Sequence, residues 1–281
     1  MRWQELTAPG RGLELHVRRV VDPPAPPVLL LHGLGVGGAI WQAFARRLTP
    51  RLAAVAPDLR GHGQSDAPAA GYLPIDYAAD LIELIGALDL APVPVVGHSL
   101  GALVALALAD LRPELVSWLV LLDPPLDAER TNPDVPNVYR LRHAPPGELE
   151  AYLLATNPGG GQLLAQVLAA LYRQAADAAF EAMLRRGDST GQAPRAADAA
   201  WDEAERVRQP CLVIQGDPAR GGVLGDAAAQ AFVARLRQGK LVKIEGASHA
   251  VHASHPAEVA RAILDFYPAG SPSSSSPSAA W

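Results

Sequence analysis

The most constraining feature of this sequence is the run Gly97-His98-Ser99-Leu100-Gly101, which has the pattern G-x-S-x-G. The short apolar run 93–96 precedes it, and the long apolar segment 100–109 follows it. A strand, a sharp turn and a helix in that order can form a nucleophile elbow, which exposes the serine hydroxyl at the end of the strand. Side chains at the two glycines would block the close approach of strand and helix. The run therefore predicts an α/β sheet with a reactive serine at a strand end.

Short apolar runs recur along the chain without the alternation of a half-exposed strand. Runs of this kind are typical of parallel strands that are buried on both faces. They lie at 13–17, 28–31, 53–56, 93–96, 119–122, 211–215 and 241–244. Helical patterns lie between them, as at 77–88, where Asp76 is placed as the N-cap, and at 257–266. We therefore predict a mostly parallel central sheet flanked by helices, with ligand chemistry at the carboxyl ends of its strands.

The segment 124–209 interrupts this alternation because it contains no convincing strand. Helical stretches at 148–155, 162–184 and 196–208 are joined by turns rich in proline and glycine. We interpret the segment as a helical cap inserted into a core made of 1–123 and 210–267. The Ser- and Pro-rich stretch 268–281 is low in complexity, and we predict that it is disordered.

Composition narrows the classes of function. Of the 281 residues, 49% are apolar and 19% are charged, which is typical of a globular protein. The net charge is −5 and no basic stripe is present, so nucleic-acid binding has no electrostatic support. The single cysteine, Cys211, excludes an intrachain disulfide, and its place at the start of an apolar run indicates a buried thiol.

The uncharged stretch 90–109 is long enough to be mistaken for a membrane span. Because it contains Pro92, Pro94 and the glycine-rich turn, a buried strand that runs into a buried helix explains it better. The first residues of the chain lack the apolar region of a signal peptide. With so little cysteine, these features predict a cytoplasmic protein without a membrane span.

Three further motifs accompany the serine motif. They are His32-Gly33-Leu34-Gly35 after the run 28–31, the stretch from Pro57 to Ser65, and Gly246-Ala247-Ser248-His249 near the C-terminus. In this order the four motifs resemble the α/β-hydrolase superfamily, in its cap-bearing esterase, lactonase and C–C hydrolase-like branch. The resemblance spans roughly residues 10 to 267 and implies the α/β-hydrolase fold and serine-hydrolase chemistry without a cofactor.

Ser99 is the predicted nucleophile, and its hydroxyl needs a base within hydrogen-bond reach. The resemblance implies that His249 is this general base and acid. His252 and His255 follow at the third and sixth positions, a spacing that could suggest a metal site. Gly246 and Pro256 indicate a loop instead of a helical ligand face, so we expect no metal there.

The acid that orients His249 has two candidates. The family commonly carries it three residues beyond a glycine after the seventh strand, but that position holds Ala219, and Asp217 is the nearest replacement. A smaller branch takes the acid from the end of the sixth strand, where Asp123 lies 24 residues past Ser99. Both keep the chain order Ser, acid, His. Asp123 and Asp217 remain open alternatives, with Asp226 as a third and weaker candidate.

The resemblance implies an oxyanion hole formed by the backbone N–H groups of Leu34 and Leu100. We interpret the polar residues of the stretch 57–65, which include Asp58, Arg60, His62 and Ser65, as a loop that braces the floor of the site. His98 is expected to support the site without acting as an acid or base. The apolar residues expected to form the cap core, and in part to line the pocket, are Leu126, Tyr139, Tyr152, Leu153, Leu164, Leu168, Tyr172, Phe180, Met183 and Trp201.

These features together predict a serine hydrolase that cleaves a small apolar carboxylic ester or lactone through an acyl-enzyme. The same residues would serve a C–C bond hydrolase, a perhydrolase or an acyltransferase, so the motifs leave those alternatives open. A small-molecule receptor on the same fold is the alternative from another class. Haloalkane dehalogenase and epoxide hydrolase chemistry is disfavoured, because those relatives use aspartate where this chain has Ser99.

Overall fold

A computed structural model describes residues 1–126, 134–156, 161–184 and 197–267. The stretch 268–281, for which disorder is predicted, lies outside the described residues. The same holds for the parts of the predicted cap at 127–133, 157–160 and 185–196.

Eight strands form a single sheet. Their bounds are β1 Arg2–Gly10, β2 Leu13–Asp22, β3 Pro27–Leu31, β4 Ala53–Pro57, β5 Val93–His98, β6 Val116–Leu122, β7 Cys211–Gln215 and β8 Gly239–Lys243. They are ordered β1-β2-β4-β3-β5-β6-β7-β8 across the sheet. The pairs β1–β2 and β2–β4 are antiparallel, and every later pair is parallel. The predicted α/β fold with a mostly parallel sheet is confirmed.

The burial of the inner strands explains why apolar and polar residues do not alternate in the apolar runs. Every residue of β4, β5 and β7 is buried, because helices cover both faces of the sheet. Strand β1 was not predicted, since most of its residues are exposed and its sequence carries no apolar run. Strand β2 also extends beyond its predicted end to Asp22.

Helices flank both faces of the sheet. Their bounds are α1 Trp41–Leu48, α2 Pro74–Ala87, α3 Leu100–Leu111, α4 Asp134–Leu141, α5 Glu148–Thr156, α6 Gly161–Gln174, α7 Asp177–Leu184, α8 Asp198–Arg206, α9 Asp226–Arg235, α10 Val251–Ser254 and α11 Pro256–Phe266. Apolar side chains of α2 and α3 pack on one face of the sheet, and those of α1 and α11 pack on the other. The prediction for Asp76 is wrong in detail: it is the third residue of α2, where its carboxylate accepts a hydrogen bond from the Leu73 N–H at 3.0 Å.

Helices α4 to α8 lie between β6 and β7, and we call them the helical segment. Across its described residues, 134–156, 161–184 and 197–206, this segment contains no strand. Part of it forms its own apolar cluster, centred on Leu149, Leu153 and Phe180. The helix predicted over 162–184 is broken after α6, where the Ala176 N–H donates to the Gly61 carbonyl at 2.7 Å.

The uncharged stretch 90–109 is divided between β5 and α3, as the proline and glycine residues predicted. Among the residues described, no helix is long and apolar enough to cross a membrane.

Candidate active site

Ser99 lies in the turn between β5 and α3 with φ 53° and ψ −116°, a backbone conformation that is strained for a residue with a side chain. Its N–H donates to the Leu122 carbonyl at 3.0 Å, which ties the turn to β6. A Cβ placed on Gly97 would lie 2.2 Å from the Gly101 carbonyl oxygen, and one on Gly101 would lie 2.4 Å from the Leu31 oxygen. The turn therefore requires glycine at both positions.

His249 follows β8 and lies beside Asp123, which follows β6. The Nδ1 atom of His249 is 2.8 Å from Oδ2 of Asp123. Since a carboxylate only accepts, Nδ1–H donates, and in the neutral ring Nε2 then carries the lone pair that a general base needs. No hydrogen bond joins the Ser99 hydroxyl to His249 in the described ranges, and catalytic hydrogen bonds often tighten only when substrate binds.

The carboxylate of Asp123 is fully buried, with 0% of its side chain exposed, and it is held by backbone donors. It accepts from the N–H groups of Gly216 at 3.0 Å, Val223 at 2.8 Å and Leu224 at 3.4 Å. These bonds offset the cost of burying a charge. They also fix the carboxylate beside His249.

Asp217, the alternative acid, has different partners. Its carboxylate accepts from the Ala219 N–H at 2.9 Å and the Gly246 N–H at 3.0 Å. The hydrogen bonds from Gly246 and Ala219 hold the pKa of Asp217 below its usual value. The structure thus brings Asp123, and not Asp217, to His249. The reason is that the Asp217 carboxylate is taken up by backbone N–H groups, and it ties the loop after β7 to Gly246 after β8.

Asp226, the weaker third candidate, also has other partners. Its carboxylate accepts from Gln215 Nε2 at 2.7 Å and lies 3.2 Å from Lys243 Nζ. These contacts lie between β7, α9 and β8, so Asp226 ties these elements together.

The loop after β3 supplies the first predicted oxyanion donor. His32 Nδ1 lies 2.7 Å from the Gly33 carbonyl oxygen, and His32 Nε2 accepts from the Leu59 N–H at 2.9 Å. Because Nε2 accepts and the Gly33 carbonyl oxygen can only accept, the ring proton lies on Nδ1, and burial lowers the pKa of His32. The C=O and N–H of one peptide point in opposite directions, so this bond directs the Leu34 N–H away from the His32 ring.

The second predicted donor is the N–H of Leu100, in the first turn of α3. Neither this N–H nor that of Leu34 donates a hydrogen bond within the part of the chain that the structure describes. A Cβ placed on Gly33 would lie 3.4 Å from the Cβ of Ser99, so the two donor segments meet at the serine. Free N–H groups at a helix N-terminus favour a developing negative charge.

The polar loop 57–65 is held by contacts within the core. The Asp58 carboxylate accepts from the N–H groups of Gly38 at 2.6 Å and Gln64 at 3.0 Å, and from Arg18 Nη1 at 3.1 Å. Burial alone would raise the pKa of Asp58, but these hydrogen bonds and the charge of Arg18 keep it below the usual value. Ser65 Oγ donates to the Asp58 carbonyl at 2.5 Å.

Arg60 and His62 have partners of the same kind. Arg60 makes two 2.6 Å hydrogen bonds to the carboxylate of Asp80, and His62 Nδ1 lies 2.8 Å from the Arg60 carbonyl oxygen. These buried contacts favour the interpretation that the loop braces the floor of the site.

A row of aromatic rings beside the serine was not predicted. The ring of His98 lies 4.7 Å from that of His249 and 4.7 Å from that of His252, and His252 lies 4.4 Å from Trp41. The ring of His252 is buried against Trp41 at the start of α1. The only sequence signal was the helical spacing of His249 and His252. No group of three or more side chains that could hold a metal occurs among the described residues.

The helical segment contacts the loop 32–35 through aromatic rings, and we call this loop the oxyanion loop because it carries the predicted donor Leu34. A Cβ placed on Gly35, which has φ +79°, would lie 2.3 Å from the Tyr172 ring and 2.8 Å from the Phe180 ring. Trp201 Nε1 donates to the Leu126 carbonyl at 3.3 Å. Of the residues predicted to form the cap core and in part to line the pocket, Leu164 is 41% exposed.

Known proteins resemble this chain in sequence and in fold. The sequence profile of the alpha/beta hydrolase family matches residues 28–262. The chain is 30% identical to the 2-(acetamidomethylene)succinate hydrolase of Mesorhizobium japonicum over 263 residues, which are 86% of this chain and 87% of that protein. The chain is also 40% identical over 129 residues to uncharacterized proteins of Mycobacterium tuberculosis and Mycobacterium bovis. These residues are 46% of this chain and only 37% of the length of those proteins.

Solved structures agree with the sequence relatives. A crystal structure of an E-2-(acetamidomethylene)succinate hydrolase superimposes with a TM-score of 0.76 at 25% identity, over 94% of this chain and 99% of that one. The enol-lactonase from Burkholderia xenovorans shares the fold, with a TM-score of 0.73 at 21% identity, over 93% of this chain and 99% of that one. The chain belongs to the alpha/beta hydrolase family.

Proposed function

We propose that this protein is a serine hydrolase that cleaves a small apolar carboxylic ester or lactone through an acyl-enzyme. The observation that carries the proposal is the 2.8 Å hydrogen bond between His249 and the buried Asp123, beside a serine in a strained strand-to-helix turn. Ser99 is then the nucleophile, His249 the base and Asp123 the acid that orients the base.

The reaction follows from these roles. His249 Nε2 takes the proton of the Ser99 hydroxyl while Oγ attacks the ester carbonyl carbon. The carbonyl oxygen becomes an oxyanion, which the Leu34 and Leu100 N–H groups stabilise. His249 then protonates the leaving alcohol, and the C–O bond breaks. In the second half, His249 takes a proton from water, whose oxygen attacks the acyl carbon. The bond from the acyl carbon to Ser99 Oγ then breaks, His249 returns the proton to Oγ, and the acid is released.

We interpret the helical segment as a cap that shapes the acyl pocket. The rings of Tyr172 and Phe180 lie against Gly35 of the oxyanion loop, so apolar surface adjoins the site. A substrate of modest size with an apolar acyl group suits such surroundings. The relative named as a 2-(acetamidomethylene)succinate hydrolase supports hydrolysis as the reaction class.

The first experiment compares hydrolysis of p-nitrophenyl esters of increasing acyl length, and of one lactone, by the wild type, Ser99→Ala and Ser117→Ala. Ser117 lies in β6 and is the matched control. We expect Ser99→Ala to abolish turnover and Ser117→Ala to retain it. Stoichiometric labelling of Ser99 by a fluorophosphonate is the second readout.

Two results would contradict the proposal. Turnover that persists in Ser99→Ala would exclude this serine as the nucleophile. A folded wild type that hydrolyses none of the esters or the lactone would favour a C–C hydrolase or a receptor.

A further inference from the structure

The side chain of His98 is fixed by a hydrogen bond to the backbone of His249. His98 is the last residue of β5, it is 7% exposed, and its Nε2 lies 3.0 Å from the His249 carbonyl oxygen. A carbonyl oxygen only accepts, so Nε2 of His98 carries the proton. The Val251 N–H donates to the same oxygen at 2.9 Å. The peptide unit after His249 is thus held from two directions.

His98 also touches the oxyanion loop. A Cβ placed on Gly33 would lie 3.0 Å from Nδ1 of His98 and 3.4 Å from its Cε1. Nδ1 is buried and has no hydrogen-bond partner in the described structure. The Nδ1–Cε1 edge of the ring thus lies against Gly33, while Nε2 donates to the His249 carbonyl oxygen. The side chain of His98 thus connects the oxyanion loop and the serine turn to the loop that carries His249.

The chemical state of His98 suits a fixed support. Burial lowers the pKa of His98 well below its usual value, and the neighbouring His252 and His249 lower it further. His98 therefore stays neutral while His249 gains and loses a proton in the proposed reaction. Its Nε2–H donor is present in every step.

We propose that His98 is a positioning residue whose Nε2–H···O bond sets the backbone of His249, and with it the place of the imidazole relative to Ser99 and the oxyanion loop. This inference rests on the proposed function, because it assigns Ser99 and His249 to the chemistry. A displacement of about 1 Å in such a group costs on the order of 100-fold in rate. The bond thus contributes to turnover more than to substrate binding.

The test compares substitutions that keep or remove the donor. His98→Gln can place an amide N–H near the position of Nε2, whereas His98→Met has a similar volume and no donor. The control is His255→Met, at the partly exposed residue before α11. We expect His98→Met to lower kcat about 10- to 100-fold with little change in KM. His98→Gln should recover most of the loss, and the control should match the wild type.

A second readout does not need turnover. In proton NMR spectra, the Nδ1 proton shared by His249 and Asp123 should be seen in the wild type and His98→Gln, and be broadened by exchange in His98→Met. Circular dichroism checks that each variant is folded. If His98→Met fails to fold, His98→Asn takes its place, because the amide of asparagine is too short to reach the His249 carbonyl oxygen. This NMR signal tests the positioning role of His98 without turnover. It therefore remains a valid test even if Ser99→Ala retains activity and the proposed function is overturned.

Two results would overturn the inference. Equal losses in His98→Gln and the variant without a reaching donor would show that the hydrogen bond is not what matters. Unchanged kcat and an unchanged Nδ1 signal in a folded variant without the donor would show that His98 only fills space.

Discussion

Nδ1 of His249 and Oδ2 of Asp123 lie 2.8 Å apart although 126 positions separate the two residues in the chain. The sheet explains the encounter. Strands β6, β7 and β8 are parallel neighbours, so the residues that follow them meet at one edge of the sheet. Asp123 follows β6, the loop that holds its carboxylate follows β7, and His249 follows β8.

This contact predicts unequal effects at the two candidate acids. We expect Asp123→Asn to lower kcat by about four orders of magnitude, because the amide favours the wrong tautomer of His249. Asp217→Asn should leave kcat near the wild-type value, since its carboxylate accepts from the backbone N–H groups of Ala219 and Gly246 and not from the His249 ring. Steady-state kinetics with the preferred ester checks both, and equal losses would contradict the assignment.

His32 offers a test of the oxyanion donors. His32→Ala frees the Gly33 carbonyl, so the Leu34 N–H loses its fixed direction. We expect kcat to fall by up to about 100-fold, which is the scale of losing one oxyanion donor. Binding of a trifluoromethyl ketone, which mimics the tetrahedral intermediate, should weaken in parallel. Weaker substrate binding with an unchanged kcat would argue against this role.

The glycines of the serine turn predict a contrast in stability. Gly97→Ala drives a Cβ into the backbone at 2.2 Å, so we expect a loss of about 3 kcal/mol in the free energy of unfolding. Gly86→Ala is the matched control, because Gly86 lies in α2 with no heavy atom within 4 Å of the added Cβ. It should gain about 0.5–1 kcal/mol. Urea denaturation measures both, and a tolerated Gly97→Ala would disprove the close approach.

Buried histidines predict a loss of stability in mild acid. Burial, with a smaller effect of the His249 charge, lowers the pKa of His252 to about 3. The unfolded chain therefore binds a proton near pH 6.5 that the folded chain refuses, and stability falls as the pH drops from about 6.5 toward 3. Each such residue contributes up to about 1.4 kcal/mol per pH unit. His62, whose pKa burial also lowers to about 3, acts in the same direction.

Thermal unfolding between pH 8 and pH 4 measures this effect. In His252→Phe the ring that packs on Trp41 is kept while the titrating group is lost. The decline of its Tm with falling pH should be shallower than that of the wild type. Parallel curves would show that His252 takes up no extra proton on unfolding.

Much of the fold could be predicted because the signals are local. The runs in β3, β4, β5 and β7 are short, apolar and bounded by turn residues. The turn around Ser99 has the recognisable pattern G-x-S-x-G. Strand β1 could not be found in this way. Its stability comes from pairing with β2 along its whole length, which leaves no apolar pattern in its own sequence.

The acid could not be chosen from the sequence because the choice depends on distant backbone atoms. Asp123 and Asp217 both follow a strand in the required order, and nothing in the residues around them separates the two. The difference lies in three N–H groups, of Gly216, Val223 and Leu224, that meet the Asp123 carboxylate about 100 positions further along the chain. The contacts of His98 with Gly33 and the His249 carbonyl could not be predicted for the same reason, because both partners lie far from His98 in the chain.

The buried carboxylate of Asp123 has a consequence for how the protein is made. The serine turn is complete by residue 101, but the donors that hold Asp123 come after residue 215, and the histidine comes at 249. During synthesis Ser99 therefore emerges before its proposed base, and in the proposed mechanism a chain that stops before residue 249 holds a hydroxyl that nothing activates. In the proposed mechanism, reactivity therefore depends on residues that lie as far along the chain as position 249.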